Sequence, residues 1–488
     1  MSGSDFQAMI DGVPKDLYID GEWRPSADSS RFAVADPGNE QRLCDVADGQ
    51  ADDAKAALDA AAGAQADWAA TPPRERGEIL RRAWQLMTDR ADDLALLMTL
   101  EMGKSLTESK GEVAYAAEFF RWFSEEAVRI DGRYTPSPAG GERIVVVRQP
   151  VGPCLLITPW NFPLAMGTRK IGPAVAAGCT MVVKPPQLTP LSMLNLAALL
   201  SEAGLPDGVL NVVPASSASR IVEPVMGDAR LRKVSFTGST EVGRTLVEQS
   251  ARHLQRSSME LGGNAPFLVF DDADLEAAVQ GAAVAKMRNN GESCVAANRF
   301  LVADSVAKEF TERLTERLSS MQVGHGTEDG VEVGPLINAE QRDQAAELVD
   351  DAVSRGARVT TGGKVGRSPG YFYTPTVLTD VPSDARILRE EVFGPIAPIT
   401  TFHTDDEAVA MANDTEFGLV AYLFTRDVNR AVLVGERLET GMVGINTGLV
   451  SNAAAPFGGI KASGFGREGG AEGIHEYLDT KYMALKLG

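Results

Sequence analysis

Cys294, in the run Asn290-Gly291-Glu292-Ser293-Cys294, follows a predicted helix and sits in a polar loop that contains a glycine. Arg288 lies just upstream, a cation able to lower a thiol's pKa, so the segment offers a nucleophile; inert packing is the alternative. Met259-Glu260-Leu261-Gly262-Gly263-Asn264 sets an acid among apolar residues ahead of two glycines. It is either a capped turn or a carboxylate with a raised pKa, the property a general base needs. Thr158-Pro159-Trp160-Asn161-Phe162-Pro163 puts an amide at the carboxyl end of a predicted parallel strand, the edge where open α/β sheets hold ligands. Asn161 there serves a ligand or caps the next helix. Gly238-Ser239-Thr240-Glu241-Val242-Gly243-Arg244-Thr245 opens a helix with free backbone N–H groups suited to phosphate. Arg244 stands where a triphosphatase loop requires lysine, and a guanidinium fork does not replace that compact charge. A dinucleotide pyrophosphate is therefore favoured over a triphosphate, although G-x-G-x-x-G is absent; a bare structural turn is the remaining reading.

These segments need a scaffold, and the chain is long enough for two or three domains at 488 residues. Its net charge of −20 disfavours nucleic acid and anionic lipid as partners. The first 20 residues carry Asp5, Asp11 and Asp16 and lack a basic start before an apolar run, so no secretory signal is expected. Four scattered cysteines and four scattered histidines suggest neither a disulfide framework nor a metal site. A cytoplasmic, metal-free protein is the expectation. Helical periodicity runs from about Ala51 to Ile130, with Ile79, Leu80, Ala83, Trp84 and Met87 facing inward; Thr71-Pro72-Pro73 opens one helix and Gly103 ends or interrupts another. Short apolar strands at Cys154–Ile157, Met181–Val183, Leu210–Val213 and Val234–Phe236 recur at the spacing of strand-helix-strand units, which predicts a parallel sheet covered on both faces. The pattern restarts at Phe267–Phe270, with a helix from about Asp274 to Asn289 and a strand at Phe300–Val302. The tail from Tyr477 to Leu487 reads as a strand that must pair with something distant or with another subunit.

Taken together the segments resemble the aldehyde dehydrogenase superfamily along essentially the whole chain. The likeness is carried by Pro159-Trp160-Asn161-Phe162-Pro163, Lys184-Pro185, Phe236-Thr237-Gly238-Ser239-Thr240, Glu260-Leu261-Gly262-Gly263-Asn264, Gly291-Glu292-Ser293-Cys294, Glu391-Val392-Phe393-Gly394-Pro395 and Pro456-Phe457-Gly458-Gly459, in the family's order and spacing. A narrower likeness to succinate-semialdehyde dehydrogenases rests on Thr168-Arg169-Lys170, Asn264-Ala265-Pro266-Phe267, Met287-Arg288-Asn289, Asn413-Asp414-Thr415-Glu416-Phe417-Gly418 and Asn446-Thr447-Gly448 through Ser451. The resemblance implies Cys294 as nucleophile, Glu260 as base and Asn161 as oxyanion donor. It implies NADP or NAD as cofactor, with Lys184 on a ribose hydroxyl, Ser239 on the pyrophosphate, Glu391 on the nicotinamide ribose and Phe393 beside the nicotinamide. Trp160, Gln187, Gly238, Gly243 and Leu261 complete the expected cofactor contacts.

A semialdehyde's carboxylate must lose water in a narrow pocket and needs a charged partner. The resemblance assigns that task to Arg169, Arg288 and Ser451; structural ion pairs are the plainer reading of both arginines. Glutarate semialdehyde, one methylene longer, is the alternative substrate. Gln187 stands where NAD-specific relatives often carry Glu, so NADP is expected to be accepted. Ala296 replaces the second cysteine of some relatives, so no redox-switching disulfide is expected at Cys294. The fold implied is α/β of aldehyde dehydrogenase type. Residues 1–130 and 150–259 would form a Rossmann-type cofactor domain, 260–465 an α/β catalytic domain, and 131–149 with 466–488 a small β oligomerisation element. The expected assembly is a homodimer or homotetramer, with the tail strand adding to a neighbour's sheet.

Overall fold

The computed structural model describes residues 3–487. Five parallel strands form the centre of the first sheet, in the order Leu210–Val212, Met181–Lys184, Cys154–Ile157, Lys233–Thr237 and Arg256–Glu260. Their continuous apolar runs follow from burial on both faces. Cys154 and Leu156 pack into the core beneath the helices Pro73–Asp89, Leu106–Glu126 and Ala165–Ala177, whereas Leu155 and Ile157 join the opposite core under Ala51–Ala70. An antiparallel hairpin, Leu17–Ile19 with Glu22–Arg24, borders one edge, and Gly464–Phe465 pairs antiparallel with Arg256–Glu260 at the other.

The second sheet has seven strands, ordered Arg358–Thr361, Thr376–Thr379, Ile396–Phe402, Ala297–Ala303, Ala265–Val269, Val420–Phe424 and Met442–Ile445. It uses the same period-two division: Phe267, Val269, Phe300 and Val302 enter one core, and Leu268, Phe270 and Leu301 the other. The periodic segment from Ala51 to Ile130 forms four helices, in which Ile79, Leu80, Ala83 and Met87 are buried and Arg81, Arg82 and Asp89 are exposed. The predicted helix near Asp274 spans Leu275–Met287, capped by the Asp274 side chain on Ala277 N–H. No helix among the described residues is long and apolar enough to cross a membrane.

The tail takes the first of the two partners its pattern allowed, a strand distant in sequence. Leu478–Lys486 pairs antiparallel with Glu142–Pro150 of its own chain, from Leu478 opposite Pro150 to Lys486 opposite Glu142, and Arg133–Pro136 completes a three-stranded sheet. The tail therefore finds a partner distant in sequence within the protomer, because the last helical turns return it beside that strand. Its outer edge is open, with Tyr482, Met483 and Leu485 exposed.

His325 ties the N-terminal loop to a segment that lines a cavity of about 700 Å³. Its Nε2 lies 2.8 Å from Asp36 Oδ2 and its Nδ1 2.8 Å from Thr327 Oγ1. The hydrogen bond with Asp36 holds the imidazole above its ordinary pKa, against the opposing effect of burial. A raised histidine stabilises the fold fully below the unfolded value near 6.5 and loses that contribution as pH rises through the folded value. The stability advantage of the wild type over His325→Gln should thus be greatest at pH 6 and shrink as the pH rises above neutrality. Tm measured across that range checks it; a constant gap would assign the contact to packing alone.

Candidate active site

The first sheet's strand order reverses between Cys154–Ile157 and Lys233–Thr237, and open α/β sheets bind ligands beyond the carboxyl ends of strands at such a point. The register sets the sequence segments side by side there. Ile157 lies opposite both Lys184 and Phe236, and Thr237 lies opposite Glu260. Asn161, Lys184, Gly238 and Glu260 thus share one rim. The second sheet meets this rim with the amino ends of its strands, so the loop before Ala297–Ala303 delivers Cys294 to the same crevice.

That loop is held in an unusual shape. Asn289, Asn290 and Gly291 all have positive φ, at 58°, 58° and 79°. Asparagine tolerates this region better than most residues, but each instance still costs about 1–3 kcal/mol and persists only where surroundings enforce it. Here the Asn289 amide donates to the carbonyls of Asn161 (2.9 Å) and Glu292 (2.8 Å), while Asn290 donates to Pro335 O and accepts from Gly334 N–H. Gly263 completes the fit: a Cβ at that position would lie 2.4 Å from the Cys294 carbonyl oxygen.

The Asn161 side chain does not cap the helix after it. Its Nδ2 donates to Glu292 O at 3.0 Å, two residues before Cys294, and the helix start is met instead by the Glu112 carboxylate on Leu164 N–H and Ala165 N–H. Cys294 is half-buried, and burial pushes its thiol up to about 12. The cation that pulls it back is Arg169 rather than the expected Arg288. Glu260 ends the strand Arg256–Glu260, which settles its segment as sheet rather than capped turn. Its carboxylate is buried with neither oxygen hydrogen-bonded to protein, and burial, then the neighbouring Glu468, drives it well above the usual carboxylate range.

Arg169 and Arg288 differ sharply. Arg169 is buried, 2.7 Å from a Glu468 oxygen in a contact whose geometry is not that of a hydrogen bond, and its guanidinium stacks 3.9 Å from the Phe457 ring centroid. Lys170 also pairs with Glu468. Arg288 faces no carboxylate within ion-pair distance among the described residues; it donates to Ser451 Oγ at 3.0 Å and lies over Phe162 and Tyr115. Arg169, Arg288, Ser451 and Cys294 line one narrow pocket, which shares Tyr115, Phe162, Arg288 and Ser451 with a cavity of about 700 Å³ outside it.

The residues expected for a cofactor do not line that pocket. Lys184 is buried with no hydrogen-bond partner for its ammonium among the described residues, and burial lowers it to about 8. Ser239 is exposed at the start of the helix Thr240–Ser250, and Gly243 packs so closely under Leu261 that a Cβ would sit 2.4 Å from Leu261 Cδ2. Gln187 is exposed beside Lys184 in sequence. Glu391 Oε1 accepts from Gly263 N–H at 2.9 Å, and Trp160 meets Phe393 edge-on at 5.5 Å. Arg244 turns away to an exposed pair with Glu416.

Glu468, Phe457, Tyr115 and the two asparagines were not singled out as site residues from the sequence. Asn289-Asn290-Gly291 carries a turn signal that fits its left-handed backbone; Glu468 carries none, since it reaches Lys170, and Arg169 beside it, from 298 positions away or more.

The chain belongs to the aldehyde dehydrogenase family, whose model matches residues 23–483. Among particular relatives, it is 60% identical to the succinate-semialdehyde dehydrogenase of Paenarthrobacter nicotinovorans, over 91% of this chain and 98% of that one. It is 49% identical to a glutarate-semialdehyde dehydrogenase of Pseudomonas putida, over 96% of this chain and 97% of that protein. A crystal structure described as an E. coli NADP dependent enzyme superposes with a TM-score of 0.96 at 49% identity, covering 100% of both chains.

Proposed function

We propose that the protein oxidises succinate semialdehyde to succinate with NADP or NAD. The observation that carries the substrate assignment is the Arg288–Ser451 pair: a half-buried cation with no carboxylate partner among the described residues, lining the pocket that holds Cys294. Such a cation suits a substrate that brings its own carboxylate. Arg169, already balanced by Glu468, contributes positive field and one wall to the same pocket. Glutarate semialdehyde is the second reading, supported by the Pseudomonas relative and by the ~1–3 kcal/mol that one methylene is worth.

The residues around the switch point fit a dinucleotide, because the Lys184 ammonium, at the end of a buried side chain and without a hydrogen-bond partner among the described residues, suits a polar ligand and Ser239 opens a helix N-terminus. Lys184, Ser239 and Glu391 would hold its riboses and pyrophosphate, with Trp160, Gly238, Gly243, Leu261 and Phe393 shaping the groove. When bound, its nicotinamide supplies the hydride acceptor. Cys294, its thiol proton given up to solvent, attacks the aldehyde carbon, and the carbonyl electron pair moves onto the oxygen. One N–H of the Asn161 amide is fixed on Glu292 O, which orients the other towards the oxyanion, alongside the Cys294 backbone N–H. Once the substrate is a Cys294 thioester, Glu260 takes a proton from water, and hydrolysis releases the acid and the thiol. Neutral Gln187 leaves room for a 2′-phosphate.

In this reading residues 1–130 and 150–259 serve the cofactor, 260–465 the chemistry, and 131–149 with 466–488 assembly into a homodimer or homotetramer. The open apolar edge of Leu478–Lys486 supports the last assignment. The direct test is cofactor reduction with succinate semialdehyde against butanal, each with NADP and NAD. A preference of ~100-fold for the charged substrate is expected; equal turnover would overturn the substrate assignment and leave the dehydrogenase chemistry standing.

A further inference from the structure

Lys286 lies in the last turn of the helix Leu275–Met287, eight residues before Cys294, and its side chain is fully buried. A buried ammonium is costly unless its donors are satisfied. Here Nζ donates to Asn298 Oδ1 at 2.9 Å and to Val392 O at 3.3 Å. The same Asn298 side chain donates through Nδ2 to Gly263 O at 3.3 Å, and Gly263 N–H donates to Glu391 Oε1 at 2.9 Å. The result is a closed circuit from the helix that precedes the nucleophile's loop, through the strand Ala297–Ala303, to the Gly263 turn and back to the Glu391–Val392 backbone. Gly263 also packs against the Cys294 carbonyl, so the circuit borders both halves of the site.

We propose that Lys286 is a positioning residue, whose ammonium fixes the Glu391 carboxylate and the Val392 backbone in the geometry that receives the nicotinamide ribose. The assignment rests on the reading of Glu391 as a cofactor contact. Burial lowers the Lys286 ammonium to about 7 and Glu391 draws it back up, while Lys286 in turn draws the Glu391 carboxyl down against the burial that pushes it up to about 7. Lys286 does not line the pocket that holds Cys294, so its effect on turnover passes through Glu391 and the turn at Gly263.

Fluorescence titration of the full-length protein with NADPH and NADH, alongside iodoacetamide alkylation of Cys294 in cofactor-free protein, separates this role from packing. Lys286→Met should weaken binding of the preferred reduced cofactor by ~10-fold or more, the scale of a lost charged hydrogen bond. Alkylation should change by less than ~2-fold, and in a Glu391→Gln background Lys286→Met should add less than ~2-fold, because both changes break one circuit. Asn298→Ala, which opens the circuit from its other side, should weaken binding in the same direction and decides the matter if Lys286→Met does not fold. Unchanged affinity in these variants, equal weakening with and without the Glu391 carboxylate, or parallel loss of thiol reactivity would overturn the assignment. Failure of the wild type to bind either cofactor would instead overturn the reading of Glu391 and the cofactor groove, and this assignment with it.

Discussion

Glu260→Gln should lower kcat by ~10²–10⁴-fold while leaving a first-turnover burst of reduced cofactor close to the wild-type amplitude. Glutamine keeps the shape of the side chain but cannot take a proton from water, so the Cys294 thioester accumulates. The burst matters because a distorted pocket would lose it together with kcat. The carboxyl's environment adds a pH signature. Burial and Glu468 hold it well above the usual carboxylate range, and a base acts only when deprotonated. The wild-type steady-state rate should therefore climb with pH through the neutral range, beyond the ordinary titration of a glutamate, and Glu260→Gln should flatten that climb. Rapid-mixing absorbance at 340 nm over a pH series reads both. A variant without a burst, or one with a full pH dependence of deacylation, would remove Glu260 from the base role.

Arg288→Ala should reduce kcat/KM for succinate semialdehyde by roughly 100-fold, within the 2–5 kcal/mol expected when one partner of a desolvated, hydrogen-bonded charge pair is removed. For butanal, which has no carboxylate, the change should stay within about 3-fold, since the cost comes from the substrate's unpaired charge. Arg169→Ala offers the contrast. It would strip Glu468 of a buried partner at 2.7 Å and the Phe457 ring of its stacked cation, so both substrates should suffer, along with stability. If Arg288→Ala slows the two aldehydes equally, the Arg288–Ser451 pair shapes the pocket rather than the charge preference, and the semialdehyde assignment falls.

Much of the scaffold is legible in the sequence because its signals are local. Apolar runs such as Cys154–Ile157 and Phe267–Phe270 read as strands buried on both faces. The inward stripe from Ile79 to Met87 has helical period, and Asp274 marks a helix start. The edge hairpin of Leu17–Ile19 with Glu22–Arg24 and the two-residue strand Gly464–Phe465 are too short to carry periodicity. They are strands only because a sheet edge stands ready to pair with them. The tail strand likewise announces its extended form through Tyr482, Met483 and Leu485, but not its partner, which lies more than 300 residues upstream in the same chain.

By itself the sequence determined the inventory of chemistry: a cysteine in a polar loop, a carboxylate among apolar residues, an amide at a strand end and a glycine turn before a helix. Residue type and neighbours decide those properties. Tertiary structure alone decided how the charges are shared. It gave Glu468 to Arg169 and Lys170, left Arg288 with only Ser451, placed Arg169 rather than the nearer Arg288 on the thiol, and closed Lys286 into a circuit with Asn298 and Glu391. Electrostatic energy depends on distance and on the water excluded between groups, and neither is a function of separation along the chain.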